Sequence, residues 1–188
     1  HYGAADDIAH AVPLWHQAGA AAAARAANPE AVAHFRKGLD VAEGWQDEAA
    51  RIRWQLAIGV DLAMTLRTLD RYDEALDLLD WAEGIAADHN EPAERGRVHY
   101  SRGNVYFALG KVEGLQEEHE KALAYAVEGG SKEMEARAYS GLGDAAYAAG
   151  GMATAHDYFK RCVALCEREG FEEIAASNIH MVGWTAIY

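Results

Sequence analysis

Apolar positions along the chain recur with the spacing of amphipathic helices. The pattern is clear in residues 72–87, where Ala75, Leu76, Leu79 and Ala82 repeat at helical intervals, and residues 112–127 show it again. Turn-forming residues interrupt it at regular places. These interruptions are Asn28-Pro29, Leu69-Asp70, Asp88–Pro92, Gly110, Gly129-Gly130-Ser131 and Gly150-Gly151. The pattern therefore predicts a series of helix–turn–helix units.

Small residues repeat in register inside the predicted helices. Gly19, Ala63, Gly103, Gly143 and Gly183 follow one another along the chain at intervals of 44, 40, 40 and 40. Three companion positions keep the same register: twelve residues later (Ala31, Ala75, Leu115, Ala155), sixteen later (Phe35, Leu79, His119, Phe159) and four earlier (Trp15, Gly59, His99, Tyr139, Ile179). We expect the small residue to allow close contact between paired helices, with the large residues filling the space beside it. The predicted units are residues 4–44, 46–90, 92–130 and 131–170, with a partial unit at 171–188.

Composition supports helices rather than sheets. The chain has 40 alanines against seven isoleucines, ten valines and four threonines, and β-branched residues are the ones strands favour. Ser131 is a plausible helix start. Pro13 either opens the first helix or kinks a helix that begins near Asp6.

Several segments resemble the tetratricopeptide repeat family. Tyr139–Phe159 matches the motif best, and Arg71–Leu76 and Asn28–Ala31 match its second half. The resemblance implies an all-α, right-handed α-α superhelix of about four helix pairs and an extra terminal helix. The period of about 40 residues is longer than the family's usual period of about 34. Ala63 in unit two stands in place of the glycine, and Leu115 in unit three in place of the alanine.

A second resemblance concerns a bacterial signalling family. Arg102–Gly110, Glu118–Leu123, Gly141–Asp144, Met152–Val163 and Ala11–Gly19 look like the C-terminal helical region of proteins that join a class III adenylate/guanylate cyclase domain, an ATPase module and tetratricopeptide-like repeats. This implies that the 188 residues are one domain from a longer chain and form its interaction or regulatory arm. The resemblance identifies no residue of a cyclase or ATPase domain within these 188 positions.

Charge and hydropathy narrow the possible partners and location. The formal net charge of −13 argues against nucleic-acid binding, which requires neutralisation of phosphates. No apolar run reaches the roughly 18 residues of a membrane span. The chain begins at His1 without a signal peptide. We therefore expect a cytoplasmic fragment that binds neither nucleic acid nor membrane.

The sequence shows no constellation for catalysis, cofactor binding or metal binding. We interpret the acidic pairs Glu117-Glu118 and Glu172-Glu173 as solvated faces. Cys162 and Cys166 share a helix face and are interpreted as buried free thiols, with a metal site as the alternative. His99 and His119 are expected to face one another as a hydrogen-bonded core pair, with a pH-sensitive hinge as the alternative. We expect a protein that is not an enzyme in this region and has no cofactor.

Residues that flank the small packing position should line a concave face for a partner. The predicted groove residues are Met64, Arg67, Arg97, Tyr100, Asn104, Phe107, Arg137, Ser140, Asp144, Tyr147, His180 and Trp184. This set contains three arginines and one aspartate, which predicts an acidic or carboxylate-bearing segment as the partner. Asn104 and Arg137 resemble part of the carboxylate clamp of some tetratricopeptide domains, although Tyr100 and Gly141 replace that clamp's lysine and asparagine.

The last helix is apolar, with Ile179, Met181, Val182, Trp184, Ile187 and Tyr188. It predicts a possible homodimer through this helix. The leading functional hypothesis is a non-catalytic, protein-binding regulatory module. The alternatives are a ligand-sensing domain that regulates a linked ATPase, cyclase or transcription activator, and an oligomerisation arm.

Overall fold

The computed structural model describes residues 2–187, with side chains described from Asp7 onward, so Tyr188 of the predicted apolar helix lies outside the described residues. Every regular element in this range is an α-helix. The helices are α1 (Tyr2–Ala24), α2 (Asn28–Ala42), α3 (Glu48–Arg67), α4 (Tyr72–Asp88), α5 (Pro92–Ala108), α6 (Val112–Glu128), α7 (Lys132–Ala148), α8 (Met152–Glu169) and α9 (Glu172–Thr185). They pack as two compact units, one ending at His89 and one beginning at Asn90.

The turns between helices repeat as regularly as the helices do. A residue with positive φ follows most helices, and from Asp70 onward these residues are evenly spaced, at Asp70, Asn90, Gly110, Gly130, Gly150 and Gly170. Glycine adopts this left-handed conformation without the steric cost that a Cβ brings. Each repeat period is therefore two equal halves, and each half is a helix and its turn. The longer interval between Gly19 and Ala63 reflects the longer connection between α2 and α3, residues 43–47.

In the first unit, α1 packs on α2 and α3 on α4. Pro13 lies inside α1, so it does not open the helix. The expected contact between Gly19 and Phe35 is present, because a Cβ at Gly19 would lie 2.5 Å from the Phe35 ring. In the second pair the glycine is Gly59, one turn before Ala63, and it makes room for Trp81. The α3–α4 pair lacks the aligned glycine, and Gly59 provides the space for an aromatic ring instead.

In the second unit, α5 packs on α6, α7 on α8, and α9 on α8. A Cβ at Gly103 would lie 2.6 Å from the His119 ring, and a Cβ at Gly143 the same distance from Phe159. The predicted contact of a small residue with an aromatic ring is therefore confirmed in both pairs. The Ser131 hydroxyl accepts a hydrogen bond from the Met134 amide at 3.3 Å, which confirms it as the cap of α7.

Within the part of the chain that the structure describes, no helix is both long and apolar enough to cross a lipid bilayer.

Candidate functional site

The predicted groove residues lie on the first helix of each pair and are all exposed or half-buried. Met64 and Arg67 belong to α3 in the first unit. The other ten lie in the second unit, on α5 (Arg97, Tyr100, Asn104, Phe107), α7 (Arg137, Ser140, Asp144, Tyr147) and α9 (His180, Trp184). We call the exposed side of α5, α7 and α9 that carries these ten residues the first-helix face.

An open pocket of about 230 Å³ joins the three helices of this face. It brings together Tyr100, Arg137 and Ser140 from the predicted set. Its remaining walls come from α9, which contributes Glu173, Ile174, Ser177 and Asn178. The Ser140 hydroxyl donates to Asn178 Oδ1 at 2.7 Å, and Asn178 Nδ2 donates to the Ile174 carbonyl at 2.8 Å. The pocket wall is therefore fixed by hydrogen bonds before any ligand arrives.

Sequence reasoning missed the contribution of α9 to this pocket. The repeat register contained the signal, because Ser177 stands one full period after Arg137 and so occupies the same position on the next first helix.

Exposed apolar side chains form a second feature of the first-helix face. Phe107 is 53% exposed and Tyr147 36%, and the two occupy the same register position on α5 and α7. Ile187, 75% exposed, follows one period later, just beyond α9. Trp184 on α9 is 51% exposed. We call Phe107, Tyr147 and Ile187 the apolar row. Aromatic anchors of this kind dominate the binding energy of many protein interfaces.

The arginines of the face are already engaged by glutamates on their own helices. Arg97 Nη1 lies 2.8 Å from Glu94 Oε2, and Arg137 donates to Glu133 Oε1 through Nε at 3.1 Å and Nη2 at 2.9 Å. Burial alone would lower the pKa of Arg137, but the hydrogen bonds and charge of Glu133, together with Tyr100, outweigh it and raise the pKa. The positive charge expected to select an acidic partner is therefore largely balanced within the protein.

Asp144 is the acidic residue among the ten predicted residues of the face, and its environment disfavours its charge. Burial raises its pKa to about 6, and the nearby His180 opposes this only in part. At neutral pH the carboxylate is thus poorly solvated compared with a surface aspartate.

The first unit has an open pocket of its own beside α3. Its volume is about 360 Å³, and both Met64 and Arg67 line it. Arg67 Nε is buried there and has no hydrogen-bond partner within the part of the chain that the structure describes. This places the two remaining predicted residues together at one concavity.

A buried ionic cluster connects α5 and α6. His99 Nδ1 lies 2.7 Å and Arg102 Nη1 3.2 Å from Glu118 Oε2, and all three residues are at most 8% exposed. Burial alone would raise the pKa of Glu118, but His99 and Arg102 outweigh it and hold the pKa at about 2. The interpretation of Glu118 as a solvated acid was therefore wrong: its neighbour Glu117 is exposed, and Glu118 faces inward.

His119 has a separate environment from His99. Its ring lies between Gly103 and Gly141, and its Nδ1 is buried with no hydrogen-bond partner. Burial lowers its pKa to about 4. The expected hydrogen-bonded pair of histidines was wrong, because His99 bonds to Glu118 instead.

Cys162 and Cys166 are free and buried in the core between α7, α8 and α9. Burial raises the pKa of Cys162 to about 12, so its thiol stays protonated and unreactive near neutral pH. Among residues 7–187 no group of three or more histidine, cysteine or acidic side chains is arranged to hold a metal ion.

Comparison with known families matches residues 94–168 to the tetratricopeptide repeat. The matched segment covers almost all of α5 to α8. No match was found among curated proteins.

Several solved structures share the fold. A Rap protein complexed with competence and sporulation factor has 17% identity and a TM-score of 0.76, with 89% of this chain and 46% of that chain covered. Aspartyl phosphate phosphatase F from Bacillus subtilis has 17% identity and a TM-score of 0.75, with 93% and 48% covered. A signal transduction ATPase with a tetratricopeptide repeat sensor from Pyrococcus horikoshii has 13% identity and a TM-score of 0.73, with 92% and 26% covered.

These likenesses confirm the expected fold class, an all-α tetratricopeptide-like helical repeat. The chain spans about half the length of the first two of these structures and a quarter of the third.

Proposed function

We propose that this chain is a non-catalytic, cytoplasmic interaction module that binds a peptide or partner domain on the first-helix face. The observation that carries the proposal is the combination of the apolar row with the adjacent polar pocket. A row of exposed apolar side chains supplies affinity through burial, and a preformed polar pocket supplies orientation. One of the similar structures is described as a complex with competence and sporulation factor, which is consistent with ligand recognition by this fold.

The chemistry of the face favours a partner chosen by apolar anchors rather than by negative charge. Arg97 and Arg137 are paired with Glu94 and Glu133, and Asp144 adds a carboxylate. An acidic segment would have to displace these glutamates before it gained a charge-assisted bond. The proposed partner is therefore a segment with two or three large apolar side chains and a polar group that enters the pocket.

A selection of displayed random peptides against the full chain tests this proposal. Peptides selected on the chain are then measured by calorimetry against the double variant Phe107→Ala with Tyr147→Ala. We expect at least a tenfold loss of affinity, since each truncated ring at an interface centre costs on the order of 1–2 kcal/mol. The matched control is Val127→Ala, because Val127 is 58% exposed but lies on α6, outside the face.

Unchanged affinity in the double variant, or an equal loss in the Val127 control, would remove the first-helix face as the binding site. The role of charge is read separately from Arg97→Ala with Arg137→Ala. Loss of binding in that variant would restore the acidic-partner hypothesis.

A ligand-sensing regulatory domain is the second candidate function, and the polar pocket favours it. The volume of about 230 Å³ is below the usual range for drug-sized ligands, so the ligand would be a small polar molecule. In this case the parent chain would carry an ATPase, a cyclase or a transcription activator. One similar structure is described as an ATPase with a tetratricopeptide repeat sensor.

Replacing Ser140 by leucine fills this pocket and distinguishes the two candidates. Small-molecule binding detected by NMR on the full chain should disappear in Ser140→Leu if the chain is a sensor. Peptide binding should weaken, because the peptide's polar group can no longer enter the pocket, but it should persist through the apolar row. Binding of small molecules that survives Ser140→Leu would argue against the pocket as a sensor site.

A further inference from the structure

The pocket of the first unit that Met64 and Arg67 line is bounded by three helices. Its walls come from α1, α2 and α3 and from Thr68, which follows α3. Its volume of about 360 Å³ falls within the range of about 300–1,000 Å³ that is usual for small-molecule sites. Helices of this chain lie on both sides of the pocket, so it is a concavity within the first unit and not an end face of the repeat.

Short side chains on α1 create the space. Ala20 and Ala23 line the pocket, and Ala23 stands at the register position that Phe107 and Tyr147 occupy on α5 and α7. Met64 on α3 adds a flexible apolar side chain to the wall. The register that gives the second unit its apolar row therefore gives the first unit a concavity with an apolar wall.

Arg67 brings a positive charge to this pocket that no carboxylate balances. Met64 and Ala63 stand three and four residues before it, where the arginines of the first-helix face have their paired glutamates. Asp70, three residues after it, accepts a hydrogen bond from the Tyr72 hydroxyl at 2.6 Å. Within the described residues the Arg67 guanidinium has neither an ion pair nor a hydrogen bond, so its donors are available to a ligand.

Most of the other polar groups that line the pocket are already engaged. The Thr65 and Thr68 hydroxyls donate to the carbonyls of Asp61 and Thr65 at 2.8 and 2.7 Å. The Asp61 carboxylate lies 2.7 Å from His16 Nε2. The Asn28 amide lines the pocket without a hydrogen bond to any other described side chain. Arg67 and Asn28 are therefore the donors that a ligand would meet.

We propose that this pocket binds a small monocarboxylate with a short apolar chain, the carboxylate accepting hydrogen bonds from Arg67 and Asn28 and the chain lying against the alanines of α1. One guanidinium beside the Asp61 carboxylate suits a ligand with a single negative charge. A phosphate monoester, which carries about 1.5–2 negative charges, is less well balanced there. The pocket shares no residue with the first-helix face, so the inference does not rest on the proposed function.

Hexanoate is a suitable probe, because it combines a carboxylate with an apolar chain. It is titrated into the full 188-residue chain, and amide chemical shifts are followed by NMR. The matched controls are 1-hexanol, which has the same chain without the charge, and inorganic phosphate, which has charge without the chain. We expect hexanoate to shift the amides of residues 20–28 and 61–68, and to bind at least tenfold more tightly than either control.

Two variants of the chain identify the site. Arg67→Gln removes the charge and should weaken hexanoate binding at least tenfold, whereas Arg53→Gln makes the same change at an exposed position of α3 outside the pocket and should leave binding unchanged. Ala23→Leu fills the space with a residue that favours helix and should also weaken binding at least tenfold. The amide spectrum of each variant, recorded without hexanoate, shows whether its fold is intact.

The double variant Phe107→Ala with Tyr147→Ala should keep full hexanoate binding, which separates this site from the proposed partner surface. Absence of hexanoate binding, equal binding of 1-hexanol or phosphate, or equal losses in Arg67→Gln and Arg53→Gln would overturn the inference. Unchanged binding in a folded Ala23→Leu variant would place the ligand elsewhere and overturn it as well.

Discussion

Two helix pairs of the second unit, α5–α6 and α7–α8, share one backbone register but fill it with different chemistry. Gly103 receives His119 in the first pair, and Gly143 receives Phe159 at the same position in the second. The turns at Gly110 and Gly150 match as well. The backbone arrangement is therefore the same in both pairs.

The side chains beside these contacts differ completely. Where α5 and α6 bury the ionic cluster of His99, Arg102 and Glu118, the equivalent positions in α7 and α8 are Tyr139, Leu142 and Tyr158. Tyr139 and Tyr158 stack with ring centroids 6.4 Å apart. The protein thus contains a polar and an apolar arrangement at equivalent positions, and the α7–α8 pair is built without an ion cluster there.

Removing one member of the cluster should produce the largest difference between the pairs. Glu118→Ala deletes the carboxylate that His99 and Arg102 share, and breaking a buried pair in this way costs about 3–5 kcal/mol. Tyr158→Ala is the matched control in the apolar pair and should cost less, because Tyr158 is half-buried. Urea denaturation of both variants measures the difference. A Glu118→Ala loss no greater than that of Tyr158→Ala would mean that the cluster contributes little.

The pH dependence of the free energy of unfolding should distinguish a histidine at position 119 from a phenylalanine such as the equivalent Phe159. The folded-state pKa of His119, about 4, lies below the ordinary value of 6.5, so the unfolded chain binds more protons between these pH values. His119 therefore lowers stability as pH falls from 6.5 to 4, by on the order of 3 kcal/mol, whereas Asp144, whose pKa of about 6 lies above its usual 3.8, raises stability over the same range and offsets much of this loss. Glu118 has a pKa of about 2 and a usual value of 4.5, so its contribution is lost only below pH 4.5.

The matched variant is His119→Phe, which copies the residue at the same position of α8. It should remove only the contribution of His119, so that in denaturation curves the stability of the variant relative to the wild type rises as pH falls from 6.5 to 4.5, while both proteins keep the loss at lower pH that comes from Glu118. A slope between pH 6.5 and 4.5 that stays the same in the variant would show that His119 is not its source.

Two glycine substitutions should have opposite signs because one glycine is covered and the other is open. A Cβ at Gly141 would clash with the His119 ring, and Gly141→Ala should destabilise the protein by about 1–3 kcal/mol. A Cβ at Gly183 meets no neighbour within 4 Å among the described residues, and Gly183→Ala should stabilise α9 by about 0.5–1 kcal/mol. Thermal unfolding measures both. Equal effects would contradict the view that His119 is held between two helices.

The smallest change in stability is expected when the ionic cluster of α5–α6 is replaced by the residues that stand at the equivalent positions of α7–α8. The triple variant His99→Tyr, Arg102→Leu and Glu118→Tyr copies the α7–α8 pair into α5–α6. Replacing a buried ion cluster with packed apolar residues is commonly neutral or stabilising. We expect the urea midpoint to stay the same or rise. A loss as large as that of Glu118→Ala would show that the two pairs are not interchangeable.

Much of the fold was predictable because it repeats. The constant repeat period fixes which small residue lies opposite which ring, and the contacts of Gly19, Gly103 and Gly143 followed from it. The pair with Ala63 has a contact that the repeat register did not predict, because a second glycine, Gly59, lies one turn before Ala63 and the Trp81 ring packs against it.

The candidate site was less predictable because charge balance depends on which neighbours pair. Arg97 and Arg137 predicted a site for an acidic ligand. However, Glu94 and Glu133 stand three and four residues before them, at the spacing at which side chains on one helix pair. Glu118 was missed for a different reason. Of two adjacent acids one faces inward, and its spacing of three residues from Leu115 and four from Ala122 distinguishes it from Glu117.

Hydrogen exchange of the full chain, with and without a peptide selected on it, tests most directly whether the first-helix face of the second unit binds the partner. We expect the peptide to slow amide exchange in α5, α7 and α9, around Tyr100, Arg137 and Asn178, and to leave exchange in α6 and α8 unchanged. Slowing confined to α6 and α8 would contradict this expectation.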